Sequence, residues 1–65
     1  MAKGVVKFFD KRKGFGFIKP DGGERDCYVN EMDVQGRELN EGDIVEFSVE
    51  IGKKGPRAKN VTKIG

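Results

Sequence analysis

Glycine and proline break this chain too often for any long helix to form. Ten glycines and two prolines are spread through 65 residues. Most of them fall in turn-forming clusters: Pro20-Asp21-Gly22-Gly23, the region of Gly36, Asn40-Glu41-Gly42-Asp43 and Gly52-Lys53-Lys54-Gly55-Pro56. Between the clusters lie short segments with β-branched or aromatic residues, which predict strands near 3–10, 14–19, 26–30, 43–51 and 57–64. No segment keeps a 3.6-residue apolar period, and residues 31–39 have room for a helical turn and no more. Five short strands joined by Gly-rich turns predict an all-β fold, a small closed or nearly closed barrel.

Length and missing residue types narrow the function. Residues 1–65 make one small domain, and a chain of this size buries only about 60% of its unfolded surface. Rossmann domains, kinases and barrel enzymes need far longer chains. There is no histidine, so a Ser-His-Asp triad, a Cys-His pair and a His-based metal site are excluded. The single cysteine, Cys27, can form neither an internal disulfide nor a cluster for zinc or iron-sulfur. It reads as a small buried hydrophobe. Carboxylate pairs can be drawn from the acidic middle of the chain, but nothing singles one out. The expectation is a binding protein, not an enzyme, with no cofactor and no metal. Charge, not an apolar stretch, follows Met1-Ala2, and no apolar run approaches the roughly 20 residues of a membrane span. With no disulfide framework, the expected setting is the cytoplasm, away from any membrane.

The net charge of +2 conceals a segregation. Residues 1–20 carry +5, residues 21–50 carry −8 and residues 51–65 carry +5. If the two ends lie together they form a basic face suited to a polyanion, with a solvated acidic face, including Glu41, Asp43, Glu46 and Glu50, opposite it. A soluble mixed-charge surface explains the same numbers, so charge alone does not decide.

Alternation along the strands is more informative. In residues 43–51, Val45, Phe47, Val49 and Ile51 share one face, the pattern of a half-buried strand. In 14–19, Phe15, Phe17 and Lys19 share one face, and Gly14, Gly16 and Ile18 share the other. Lysine is a poor core residue, and glycine suits the inner side of a tightly curved strand, so Ile18 should point in and both phenylalanines out. Tyr28 lies with Asp26 and Asn30 on the polar face of its strand, away from Cys27 and Val29. Phe8 and Phe9 are adjacent, so in a regular strand only one can point inward; Phe9 is assigned to the core or its edge. The expectation is an exposed patch of Phe8, Phe15, Phe17 and Tyr28, rimmed by Lys7, Lys13 and Lys19. Clustered aromatics on a small protein invite aggregation unless a ligand uses them. Single-stranded nucleic acid is such a ligand: every base has a π-face, and stacking is worth roughly 1–3 kcal/mol per base. Lysines at the rim would neutralise phosphates.

These residues also carry a family resemblance. Lys13-Gly14-Phe15-Gly16-Phe17-Ile18 looks like the first ribonucleoprotein motif, and Asp26-Cys27-Tyr28-Val29-Asn30 stands in the place of the second. Gly4-Val5-Val6-Lys7-Phe8-Phe9-Asp10 precedes them. Leu39-Asn40-Glu41-Gly42-Asp43-Ile44-Val45-Glu46-Phe47 and Gly55-Pro56-Arg57-Ala58-Lys59-Asn60-Val61 follow. In that order and spacing, from about residue 3 to 64, the chain resembles the bacterial-type cold-shock proteins. The resemblance implies a five-stranded antiparallel oligonucleotide-binding barrel that binds single-stranded RNA and DNA in the manner of an RNA chaperone. It implies base-edge hydrogen bonds from Asp10, Asp26 and Asn30, for which strand-edge and turn solvation is the plainer reading of the two aspartates. It places Lys54 and Arg57 near the groove, against the alternative of a flexible basic loop. Lys11 and Arg12 read as a solvated loop.

The chain departs from the family pattern where it matters for stacking. The family usually has Trp at the place of Phe8, Asn at Asp10, Phe at Tyr28 and His at Asn30. A further aromatic is replaced by Glu31, and the loop before Leu39 is cut to Gln35-Gly36-Arg37-Glu38, without its phenylalanine. Fewer stacking subsites and weaker binding are expected. The competing function is a small basic barrel coating double-stranded DNA, for which aromatics spaced two apart are not needed and +2 is a low charge. An RNA-recognition-motif domain shares the hexamer but needs two helices. A barrel that takes a peptide on its aromatic patch is a third alternative. A monomer with no obligate protein partner is expected.

Overall fold

The computed structural model describes residues 2–22, 25–36 and 38–65. Gly23 of the first turn and Arg37 of the shortened loop lie outside them. The chain forms β1 (Ala2–Asp10), β2 (Phe15–Pro20), β3 (Cys27–Asn30), a 3-10 turn (Glu31–Asp33), β4 (Val34–Gln35), β5 (Ile44–Gly52) and β6 (Gly55–Lys63). The five expected strands are β1, β2, β3, β5 and β6, and the single helical turn falls inside residues 31–39 as expected. β4 has two residues. β6 begins earlier than the sequence suggested, because Gly55 and Pro56 pair with Gly52 and Ile51 across a tight Lys53-Lys54 hairpin. Proline is tolerated there as one of the first residues of a strand.

Neighbouring strands run in the order β3-β2-β1-β5-β6-β4, and a further β3–β6 pairing closes the barrel. The fold is the expected all-β oligonucleotide-binding barrel. One detail differs from a purely antiparallel sheet: β6 runs parallel to β3 at Tyr28↔Arg57 and to β4 at Val34↔Val61. Closure consumes strand edges that would otherwise template pairing with other chains.

Nine side chains among the described residues form the core, each 2% exposed or less: Val6, Ile18, Cys27, Val29, Leu39, Val45, Phe47, Ala58 and Val61. Every principal strand contributes, and Leu39 enters from the loop before β5. Ala2, Phe9 and Val34 pack against this cluster from its edge. Ile18 is inside and Cys27 is buried, as the alternation required.

Two irregularities shape the barrel wall. Val6 pairs with Ile18, but Phe8 pairs with Phe17, so Lys7 is an extra residue in β1. In a regular strand Val6 and Phe8 would point the same way. The bulge breaks that parity, turns Lys7 and Phe8 both outward and tucks Phe9 against the core. A second slip separates the Glu46↔Thr62 pair from Ser48↔Lys59, with Asn60 at φ 52°. Beyond it β5 has lost β1, whose ladder with it ends at Phe47, while β6 still gives Ala58 to the core and Arg57 to the β3 closure; only past Arg57 do the two strands project as an arm. Val49 and Ile51 therefore do not continue the buried face of Val45 and Phe47; they are 44% and 76% exposed.

The basic and acidic segments are not held on opposite faces. Every ion pair found among the described residues joins a cation from an end of the chain to an acid of its middle: Lys7–Asp26, Lys11–Glu38, Arg57–Asp33, Lys59–Asp33 and Lys63–Asp43. The acidic middle is thus partly stitched to the basic ends. Exposed pairs of this kind contribute about 0–1 kcal/mol each.

This packing has consequences that can be measured. A Cβ at Gly16 would fall on the Phe8 carbonyl oxygen and 2.7 Å from the Phe9 ring, so Gly16→Ala should destabilise the barrel by at least about 2 kcal/mol, read from urea midpoints. Asp43 accepts the Asn40 amide at 2.8 Å and pairs with Lys63 at 3.2 Å. The Asn40 bond, helped by Lys63, holds its carboxyl below the ordinary value, against a smaller opposing effect of desolvation. A lowered native pKa means that the charged form stabilises the fold. This contribution is complete above the unfolded pKa and is lost as pH falls through the native one. Asp43→Ala should lower the melting temperature near neutrality, and its gap from the wild type should narrow on acidification, in melts from about pH 7 to about pH 2.

Candidate nucleic-acid interface

The aromatic side chains of β1, β2 and β3 meet on the outer wall of the barrel. Phe15 is the hub. Its ring centroid lies 6.1 Å from Phe8, 6.1 Å from Phe17 and 6.0 Å from Tyr28. The Phe15 and Tyr28 rings are near parallel at 19°, whereas Phe8 and Phe17 meet Phe15 edge-on at 70° and 88°. Phe17 also meets Tyr28 edge-on at 6.0 Å. Offset and edge-to-face pairs of this kind stabilise one another. Phe8 and Phe17 remain 43% and 36% exposed, and Phe15 and Tyr28 are half-buried. Registry explains the cluster: Phe17 faces Phe8 on one side and Tyr28 on the other. The four aromatics singled out in the sequence are thus brought together, Phe8 by the Lys7 bulge that strand periodicity alone does not supply.

The polar candidates are placed less uniformly. Lys13 and Lys19 are exposed. Lys7 reaches Asp26 at 3.1 Å, so these two are partners of each other. Asp10 is engaged by its own loop: its Oδ1 accepts the amides of Arg12 at 2.9 Å and Lys13 at 3.1 Å, and its carbonyl accepts the Gly14 amide at 2.7 Å. This carboxylate shapes the Lys11-Arg12-Lys13 turn. Asn30 caps the 3-10 turn by accepting the Met32 amide at 2.9 Å, and its Nδ2 donates to the Tyr28 hydroxyl at 3.3 Å. Lys54 sits exposed at the tip of the β5–β6 arm. Arg57 lies over Tyr28, its guanidinium carbon 5.5 Å from the ring centroid.

Sequence reasoning missed Asp33. Its carboxylate, 17% exposed, stands 3.8 Å from Arg57 and 3.4 Å from Lys59. Nothing in the local sequence links residue 33 to 57; the parallel closure of the barrel does. Glu31 replaces an aromatic position and packs its carboxylate beside Gly14, whose φ is 74°. With Phe9, Lys11, Val34, Gly36, Glu38 and Leu39 it lines a cleft of about 130 Å³, where its negative charge opposes entry of a phosphate.

The profile of the family described as 'Cold-shock' DNA-binding domain matches residues 2–64. This chain belongs to the cold-shock domain family. That family binds nucleic acids, and the exposed aromatic cluster fits such a role. The cold shock-like protein CspB of Yersinia pestis is 50% identical over 64 residues, 94% of this chain and 91% of its own. The cold shock protein ScoF of Streptomyces coelicolor is 49% identical over 65 residues, 95% of this chain and 97% of its own. Among solved structures, that titled "drosophila Unr CSD456" superposes with a TM-score of 0.79 over 98% of this chain at 23% identity, and the chain spans 26% of its length. That likeness concerns the fold alone. Among the described residues no helix is long and apolar enough to cross a membrane.

The double capture of backbone amides by Asp10 makes a specific prediction. Asp10→Ala should cost about 1 kcal/mol of stability, whereas Asp10→Asn, which keeps an acceptor at the same place, should cost markedly less; chemical denaturation distinguishes the two.

Proposed function

We propose that this cold-shock domain binds single-stranded RNA and DNA by stacking bases on the Phe8–Phe15–Phe17–Tyr28 cluster, and acts as an RNA chaperone by mass action. The exposed, mutually braced aromatic cluster carries the reading. Its rings offer π-faces that the unpaired bases of a single strand can reach and the stacked bases of a duplex cannot. Lys7, Lys13 and Lys19 border it and supply phosphate attraction, with Asp26 restraining Lys7. Asp10 and Asn30 serve the interface by shaping its edges, since their side chains already hold the neighbouring turns. Lys54 adds charge at the end of the arm. Binding only the open strand stabilises it by RT ln(1 + [L]/Kd), which shifts hairpins toward unpaired forms without nucleotide hydrolysis. The protein acts as a monomer.

The test is a titration of a labelled unstructured oligonucleotide and a matched duplex at low and moderate salt. The single strand should bind better, salt should weaken it, and Phe17→Ala should lose about 1–3 kcal/mol while the fold is retained. Equal binding of the duplex, with no effect of Phe17→Ala, would instead identify a DNA-coating barrel.

A further inference from the structure

The β6 side of the patch differs from the rest. Tyr28 does not present a bare ring there, because the Arg57 guanidinium lies over it. Several features hold Arg57 in that place. Tyr28 and Arg57 are register partners across the parallel β3–β6 closure. Gly52 leaves room for the arginine stem, since a Cβ at residue 52 would stand 3.3 Å from Arg57 Cδ. The Asp33 carboxylate draws Nη2 from 3.8 Å and Lys59 Nζ from 3.4 Å. Arg57 Nε is buried with no hydrogen-bond partner. An unpaired donor costs free energy, and contact between the cation and the ring offsets it. The Arg57 side chain as a whole nevertheless stays 40% exposed.

Resting on the reading of the patch as a single-strand interface, we propose that Arg57 is itself a base-stacking group, and that Asp33 is the positioning residue that holds it over Tyr28. A base at this end of the groove then contacts the guanidinium, with Tyr28 beneath as support. Guanidinium planes stack on nucleobases as aromatic rings do. A free arginine would swing out to the nearest phosphate. A carboxylate on its Nη edge opposes that swing and leaves the plane available. Lysine cannot substitute, because a point charge offers no plane.

Tyr28 is the sole tyrosine and the chain has no tryptophan, so its fluorescence and ring-proton resonances report on this one place. The experiment titrates an unstructured oligonucleotide against wild type, Arg57→Lys, Arg57→Gln and Asp33→Asn at several salt concentrations, with NMR of the Tyr28 ring and the Arg57 Nε–H. Arg57→Lys should weaken binding about tenfold with the salt slope unchanged. Asp33→Asn should weaken binding severalfold while steepening the salt slope, because it removes a negative charge and the restraint together. On binding, the Arg57 Nε–H should shift more than the Tyr28 ring. Wild-type affinity in Arg57→Lys, or tighter binding by Arg57→Gln as the ring is uncovered, overturns the stacking role. Undiminished affinity in Asp33→Asn overturns the positioning role. If the wild type binds no oligonucleotide while Phe17→Ala remains folded, the functional reading itself fails, and this inference with it.

Discussion

The close backbone approach between β1 and β2 at Gly16 governs both the core of this barrel and its outer face. Gly16 lies so near the Phe8 carbonyl that no side chain fits there. That intimacy lets β1 carry the one-residue bulge at Lys7 and still hold its ladder from Phe8 to Asp10. The bulge reverses the parity of the strand. Val6 goes into the core, Phe9 seals its edge and Phe8 is delivered outward to Phe15. β1 also pairs with β5 through Ala2 to Val5, so the same strand ties the aromatic wall to the fully buried Val45 and Phe47. Packing inside and display outside are two consequences of one strand geometry.

The electrostatics favour stacking over charge as the organising force of the outer face. A net charge of +2 is small, and the ion pairs spend part of the cationic surface on the acidic middle segment. Exposed pairs are weak and screened, so they do not abolish attraction for phosphate. They do moderate it. What remains distinctive is the set of four interlocking rings, extended at one end by a guanidinium over Tyr28. Where Glu31 takes the place of an aromatic, two carboxylates, Glu31 and Glu38, join Phe9 and Lys11 in lining the neighbouring cleft.

Much of this was legible from local pattern. The Gly-Phe-Gly-Phe-Ile-Lys alternation set the facing of β2 without ambiguity, because lysine and glycine exclude the opposite choice. The turn clusters marked the β2–β3, β4–β5 and β5–β6 connections to within a few residues, and the absence of histidine removed the histidine-based catalytic and metal sites. The same logic failed at β5. Val45, Phe47, Val49 and Ile51 obey one alternation, yet the second pair is exposed, since β1 pairs with β5 only as far as Phe47 and the register against β6 slips between Glu46 and Ser48. Charge counting failed for a similar reason: it located the signs along the chain but not their partners across the barrel.

The sequence by itself determined the elements, the inward residues of the shorter strands and the aromatic identity of the outer face, because these follow from the period of a strand and from the side chains at successive positions. Tertiary structure alone decided where the β5–β6 arm leaves the core and that Asp33, Arg57 and Tyr28 stand together, and it supplied the bulge by which Phe8 faces out and Phe9 in, as the sequence reading expected. Those outcomes depend on two bulges and on a parallel closure between segments far apart in the chain. A bulge changes facing by one residue without leaving a period in the sequence, and a parallel contact between β3 and β6 exists only once the barrel has closed.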